Sequence, residues 1–324
     1  MLKYKKQLVM LSILGFLSGI STTYANTWQL EENQNWDLIT TENQGKFLTA
    51  IAEAQKIVNK NQTKAAKKAF EKLQEDFPDF SGPDLDLFIK AELFLSDRKF
   101  TTAARTFDKL LKKYPESKLR DVSIRRLFEI GKIYLDGQKK VLLGFIKISG
   151  YAEGIRILEK VTDYTGIDSQ IGTEAAIAVA KNYEKRKKFD EAYLKWWEIY
   201  SQWQNGSIGR DALLGMAQAK YDIYNKNPEQ KRSFYDASCL RSARSYYERF
   251  KLLFPDDAKA IGVDGIIKEI NEELAYKEFV TGRYYQQTGS LQSANLYYNM
   301  VATNWPDTKG GQEARETLTE NNDN

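Results

Sequence analysis

The sequence predicts an all-α solenoid, a stack of about six irregular helix pairs, and three observations carry that reading. A phrase of small, aromatic and apolar residues recurs six times along the 324 residues, and four of the six prolines close a copy of it. The composition, 42% apolar and 28% charged, is that of a folded chain, and its longest early apolar run, Leu8–Leu17, is too short to cross a bilayer of about 30 Å.

Each copy of the phrase is anchored on a small residue at position i. With Ala103 at i, Phe107 stands at i+4, Leu110 at i+7, Tyr114 at i+11 and Pro115 at i+12. The same frame fits Ala66, Phe70, Leu73, Phe77 and Pro78. It fits Ala243, Tyr247, Phe250, Phe254 and Pro255, and again Ala294, Tyr298, Val301, Trp305 and Pro306. Ala192, Trp196, Ile199 and Trp203 follow it without the proline, and Gly154, Leu158, Val161 and Thr165 form a worn copy that ends at Gly166. A large apolar residue sits at i−3 in five copies: Phe100, Tyr151, Phe189, Leu240 and Leu291. These offsets trace one stripe of a 3.6-residue helix, and Ala or Gly at i lets a second helix approach closely. Proline just beyond the stripe stops the helix without breaking it.

A second helix precedes each copy, as in Ala176–Ala180 running into Tyr183, or Gly282 and Tyr285 before Gly289. Such a pair cannot bury its stripe alone, so the pairs must stack. Spacings between the anchors are 37, 51, 38, 51 and 51 residues, so the array is not uniform. The third unit carries an apolar insert, Val141-Leu142-Leu143-Gly144-Phe145-Ile146, and the fifth a polar insert near 225–235. In the last unit the pattern predicts one long first helix from about Ala258 to Gln287.

At the N-terminus, Lys3, Lys5 and Lys6 precede the apolar run, and Thr23-Tyr24-Ala25 supplies small residues before a cleavage point between Ala25 and Asn26. The expected organisation is a signal peptide at 1–25, an extension at 26–45, repeats 1–3 at 46–166, repeats 4–6 at 167–318 and a disordered tail at 319–324. The expected location is the periplasm, at the inner face of the outer membrane. Position 26 is Asn, so no cysteine stands where a lipid anchor would be attached.

The composition narrows the chemistry. No histidine is present, which removes Ser-His-Asp and Cys-His catalysis and the HExxH zinc site. The single cysteine, Cys239, rules out an intramolecular disulfide and reads as a small packed residue. The adjacent carboxylates Asp256-Asp257 and Glu272-Glu273 point in different directions on a helix and cannot share a substrate. Trp196 and Trp203 occupy core positions of the frame, which leaves Trp197 as the exposed tryptophan. Asn61-Gln62-Thr63 and Asn205-Gly206-Ser207 match the glycosylation sequon, which matters only in a eukaryotic secretory pathway. No cofactor, metal ion, small-molecule substrate or nucleic acid is expected, and the chain reads as a non-enzymatic binder.

Charge is uneven along the chain. Residues 98–147 hold 14 Lys+Arg against 5 Asp+Glu, whereas 26–97 carry a balance of −5 and 148–324 of −3. Arg120, Arg125, Arg126 and Lys132 in the basic block are the candidate partner-facing residues, toward an acidic protein surface or anionic lipid headgroups.

The repeated frame resembles the tetratricopeptide repeat, which implies a right-handed superhelical solenoid. With the export signal and the irregular spacing, residues 46–318 resemble the BamD family, a periplasmic tetratricopeptide-like component of the outer-membrane protein assembly machine. The last unit is the most similar stretch, through Leu274-Ala275, Lys277-Glu278, Gly282, Tyr284-Tyr285, Gly289, Ala294, Val301, Pro306, Thr308, Glu313-Ala314 and Leu318. Phe77-Pro78 and Tyr114-Pro115-Glu116-Ser117 fit the family's opening repeats, but its lipidated N-terminal cysteine has no counterpart at position 26. The resemblance implies a protein-binding scaffold whose partners include a β-barrel assembly protein. An adaptor in envelope maintenance, division or polysaccharide export, or an accessory subunit of a cell-wall enzyme, would share the same repeats.

Overall fold

The computed structural model describes residues 27–30, 36–39, 42–142 and 145–323. The expected signal peptide and its cleavage point at Ala25 and Asn26 lie outside them. The described residues form a right-handed superhelical solenoid of paired α-helices. First helices α1 (Glu42–Asn59), α3 (Pro83–Ser96), α5 (Arg120–Leu135), α7 (Gln170–Lys185) and α9 (Gly206–Asn225) alternate with second helices α2 (Thr63–Asp76), α4 (Phe100–Lys113), α6 (Tyr151–Thr165), α8 (Phe189–Gln202) and α10 (Ser238–Leu253). A short helix α11 (Pro255–Ile261) leads into the last pair, α12 (Val263–Gln287) and α13 (Leu291–Asn304), and α14 (Lys309–Asp323) closes the stack.

The frame read from the sequence is the core of every second helix. All six anchors, from Ala66 to Ala294, are buried, as are the i+4 and i+7 residues of each copy. Aromatics at i+4 meet neighbouring rings edge to face, with Phe107 and Phe88 at 5.8 Å and Phe70 and Phe88 at 6.4 Å between centroids. Glycines set the closest approaches. A Cβ on Gly215 of α9 would stand 2.5 Å from the Trp196 indole of α8, and one on Gly282 of α12 would stand 2.7 Å from the Tyr298 ring of α13. The i−3 position fails once: Leu291, which opens α13, stays 55% exposed.

The turns inside the units share one device. Asn61, Arg98, Lys187 and Gly289 all stand at i−5 and all adopt positive φ, 58°, 57°, 57° and 82°. The following amide reaches back five residues in the Schellman pattern, Lys99 N to Phe94 O at 2.8 Å and Lys188 N to Tyr183 O at 2.9 Å. The third unit makes the same turn at Gly137 (φ 108°), with Gln138 N to Ile133 O at 3.2 Å, and its insert follows; the fifth unit lacks it. In the third, β3 (Lys140–Leu142) and β4 (Ile146–Ile148) pair antiparallel; in the fifth, a 3₁₀ segment spans Glu229–Phe234. Within the expected N-terminal extension, β1 (Thr27–Leu30) pairs with β2 (Trp36–Ile39), and α1 begins at Glu42.

Two expectations are corrected. The long first helix of the last unit starts at Val263, not near Ala258, because Gly262 takes the left-handed conformation (φ 73°, ψ 35°) and separates α11 from α12. The tail expected from 319 is helical through Asp323, as the end of α14, whose Ala314 is fully buried against α12 and α13.

Buried apolar residues fall into three clusters along the stack. The first runs from Phe47 to Val179, the second from Ala176 to Leu274 and the third from Ala275 to Ala314. Helix α7 contributes to the first two, so the core passes the turn at 166–167 without a gap.

Candidate functional site

First helices stack on first helices, and between the C-terminal ends of α1, α3 and α5 they leave a cleft of about 550 Å³. Its floor is polar and fully engaged. Glu92 is the one acidic residue in the apolar run of α3, and it is completely buried. The Arg126 guanidinium of α5, only 3% exposed, donates to it through two parallel bonds, Nε to Oε1 at 2.8 Å and Nη2 to Oε2 at 2.9 Å. Arg126 Nη1 also donates to Glu129 Oε2 at 2.7 Å and to Asn59 Oδ1 at 3.0 Å, while Gln55 Nε2 donates to Glu92 Oε1 at 2.7 Å. One arginine thus links α1, α3 and α5.

Burial pushes the Glu92 carboxyl above the usual carboxylate range, against the opposing pull of Arg126. Burial alone would also weaken the charge on Arg126, but Glu92 and Glu129 outweigh it and hold the guanidinium above its ordinary value. The pair is a fixed strut rather than a group poised to titrate.

The walls and rim are what a ligand would meet. Phe128 and Ile133 are half-buried on α5, and Phe100 and Leu95 line the apolar side. Exposed Asn61, Arg98 and Lys132 stand around them, with the Lys132 ammonium 5.5 Å from the Phe128 ring centre and the Arg98 guanidinium 5.6 Å from that of Phe100. Neither Arg98 nor Lys132 makes an ion pair among the described residues. Apolar walls with free cations and an amide group at the rim suit an extended peptide segment.

The four candidate residues do not gather in one place. Lys132 is on the rim and Arg126 is the buried strut, so Arg126 is not free to face a partner. Arg120 is turned inward as well: its Nη2 donates to the Tyr164 carbonyl at 2.6 Å and ties the start of α5 to the end of α6. Arg125 is exposed but does not line the cleft. Sequence reasoning missed Glu92, Asn59, Asn61, Arg98 and Phe128. A lone acid inside Leu87–Ser96, 34 residues before Arg126, was the available signal.

Among the described residues no group of His, Cys, Asp or Glu could hold a metal ion, and no helix is long and apolar enough to cross a membrane. Glu272 accepts the amide of Lys309 at 3.0 Å at the start of α14, while Glu273 lies toward Arg232, so these neighbours do diverge. Trp196 is buried, Trp203 donates to the Ile167 carbonyl at 3.2 Å, and Trp197 is 53% exposed. Cys239 is half-buried against the second core cluster.

Residues 87–117, covering most of α3 and all of α4, match the family model described as tetratricopeptide repeat. No curated protein sequence matches significantly. Among solved structures, the chain is similar to pilF of Pseudomonas aeruginosa (14% identity, covering 86% of this chain and 100% of that one, TM-score 0.34). It is also similar to the C-terminal part of a TPR repeat-containing protein from Cytophaga hutchinsonii (13% identity, 84% and 97% covered, TM-score 0.38). A third is a tetratricopeptide repeat protein from Parabacteroides merdae (12% identity, 83% and 97% covered, TM-score 0.33). Repeats of this type are protein–protein interaction scaffolds.

Proposed function

We propose that the chain is a non-enzymatic periplasmic scaffold that takes part in assembling outer-membrane β-barrel proteins. The observation that carries the binding role is the cleft across α1, α3 and α5, a rigid, strutted groove with apolar walls and free cations at its rim. An extended segment of a partner or client lies along it, with apolar side chains against Phe128 and Ile133 and acidic or carbonyl groups toward Arg98 and Lys132. The assembly role draws on the sequence resemblance over 46–318, and the periplasmic location on the N-terminal lysines and apolar run.

The test is photo-crosslinking in intact envelope with a photoreactive residue at Phe128 or Lys132. Recovery of a β-barrel assembly protein supports the reading. Recovery of division or polysaccharide-export proteins instead assigns the scaffold to an envelope adaptor, and crosslinking from Arg125 but not from Phe128 would move the binding face out of the cleft.

A further inference from the structure

The turns within the units, where first helices end and second helices begin, lie on one edge of the stack. Along the first four units that edge is mostly basic, with Asp97 and Asp136 as exposed acids among its cations. Lys60, Arg98, Lys139, Lys147, Lys185 and Lys187 are all exposed there, and none makes an ion pair among the described residues. The opposite edge is mixed, with Asp79, Asp84 and Asp86 at the α2–α3 turn and Asp163 and Asp168 at the α6–α7 turn, but Lys112, Lys113 and Lys118 at the α4–α5 turn.

The β3–β4 hairpin projects from this basic edge. Its strand register sets Val141 opposite Lys147 on one face, and Lys140 opposite Ile148 with Ile146 two residues on along the other. Val141 is 49% exposed, Ile148 41%, Ile146 39% and Phe145, near the tip, 76%. No acidic residue occurs between Gln138 and Ala152. The base is held to the body, since Lys140 Nζ donates to Glu153 Oε2 on α6 at 2.7 Å. A hairpin docked on a protein surface buries one face or one edge. This one carries apolar side chains on both faces and at its tip, with free lysines set back from the tip and along the edge behind it. That arrangement suits a medium that surrounds the tip and is negatively charged at its surface.

We propose that the β3–β4 hairpin is a membrane finger: Phe145 and its apolar neighbours enter the interfacial layer of an anionic bilayer, and the basic edge rests on the headgroups. Unpaired hairpin backbone is costly in hydrocarbon, so insertion stops at interfacial depth. Each cation near an anionic leaflet adds attraction that falls off within a Debye length. The finger attaches the scaffold to a membrane without a lipid at position 26, whichever partner fills the cleft, and it leaves the α1–α3–α5 cleft beside that surface.

The experiment places an environment-sensitive fluorophore at Phe145→Cys in the full chain with Cys239→Ser. The vesicles contain about one-quarter phosphatidylglycerol in phosphatidylethanolamine, with phosphatidylcholine alone as comparison. Emission at 145 should shift to the blue on the anionic vesicles and much less on the neutral ones, while a probe at Leu252→Cys, 80% exposed near the opposite edge, keeps its aqueous emission. In unlabelled chain, Phe145→Asp should lower the membrane-bound fraction by about tenfold, with an unchanged circular dichroism melt. If the N-terminal apolar run alone held the chain to vesicles, the probe at 145 would stay aqueous. That outcome, or binding indifferent to Phe145→Asp, overturns the proposal and returns the hairpin to protein docking.

Discussion

Glu92 and Arg126 carry opposite charges out of water, and the attraction between them must offset a large desolvation penalty. Replacing Arg126 by Met leaves Glu92 buried without its partner, and Glu92→Leu does the converse. Each single change should cost about 3–5 kcal/mol, whereas the double replacement Arg126→Met with Glu92→Leu should cost much less. Urea unfolding of the four proteins measures the coupling, and additive single effects would mean that the strut contributes nothing as a pair. Asp108 behaves differently because it sits nearer the surface. Burial would raise its carboxyl, but Lys160 at 2.5 Å, Tyr164 at 2.7 Å and Lys112 at 3.1 Å hold it below the ordinary carboxylate range. A carboxyl lowered in the folded state adds stability above its unfolded pKa, about 3.9, and loses it as pH falls through the folded value. Asp108→Asn should therefore cost about 1–2 kcal/mol at neutral pH and make stability flatter below pH ~4 than in the unaltered chain. Melting temperatures measured across that range check the sign.

At the scale of elements, the four left-handed turns set a local conflict between backbone and side chain. Gly289 adopts its positive φ freely, but Asn61, Arg98 and Lys187 carry a Cβ there, and an L-residue in that region costs about 1–2 kcal/mol. Lys187→Gly should relieve part of this and, after the extra chain entropy of glycine, raise stability by about 0.5–1 kcal/mol. A loss of stability on denaturant unfolding would show that the Lys187 side chain contributes more than its backbone conformation takes away. The second helices were legible because the i, i+4 and i+7 residues face the core in every unit, so one pattern recurs with one physical cause. The start of α12 was not legible: Gly262 reads as one more small residue in a helical pattern until its positive φ is seen. The cleft was hidden for a related reason. The frame lies on the second helices, whereas the cleft is made from first helices, whose polar residues follow no repeat. Glu92 and Arg126, 34 residues apart, meet because α3 and α5 are adjacent first helices.

The whole molecule is a line of neighbours rather than a sphere, and its three apolar clusters follow one another along the chain. In such a stack each unit is stabilised by its own packing and by the faces of the units on either side, so damage should stay local. Phe279 of α12 tests this. It packs 5.4 Å from Tyr298 between ring centroids, in the smallest cluster, which α14 caps. Phe279→Ala should cost about 3–5 kcal/mol within that unit, more than its few contacts with the rest can share. Hydrogen exchange should then show amide protection falling steeply in α12, α13 and α14, less in α9 and α10, and hardly at all in α3 to α6. Equal loss along the entire chain would mean that the stack unfolds as one cooperative body. The difference bears on function, because local opening at the C-terminal end leaves the strutted cleft of α1, α3 and α5 intact. A chain built this way can lose its last unit's packing without losing the groove that holds a partner.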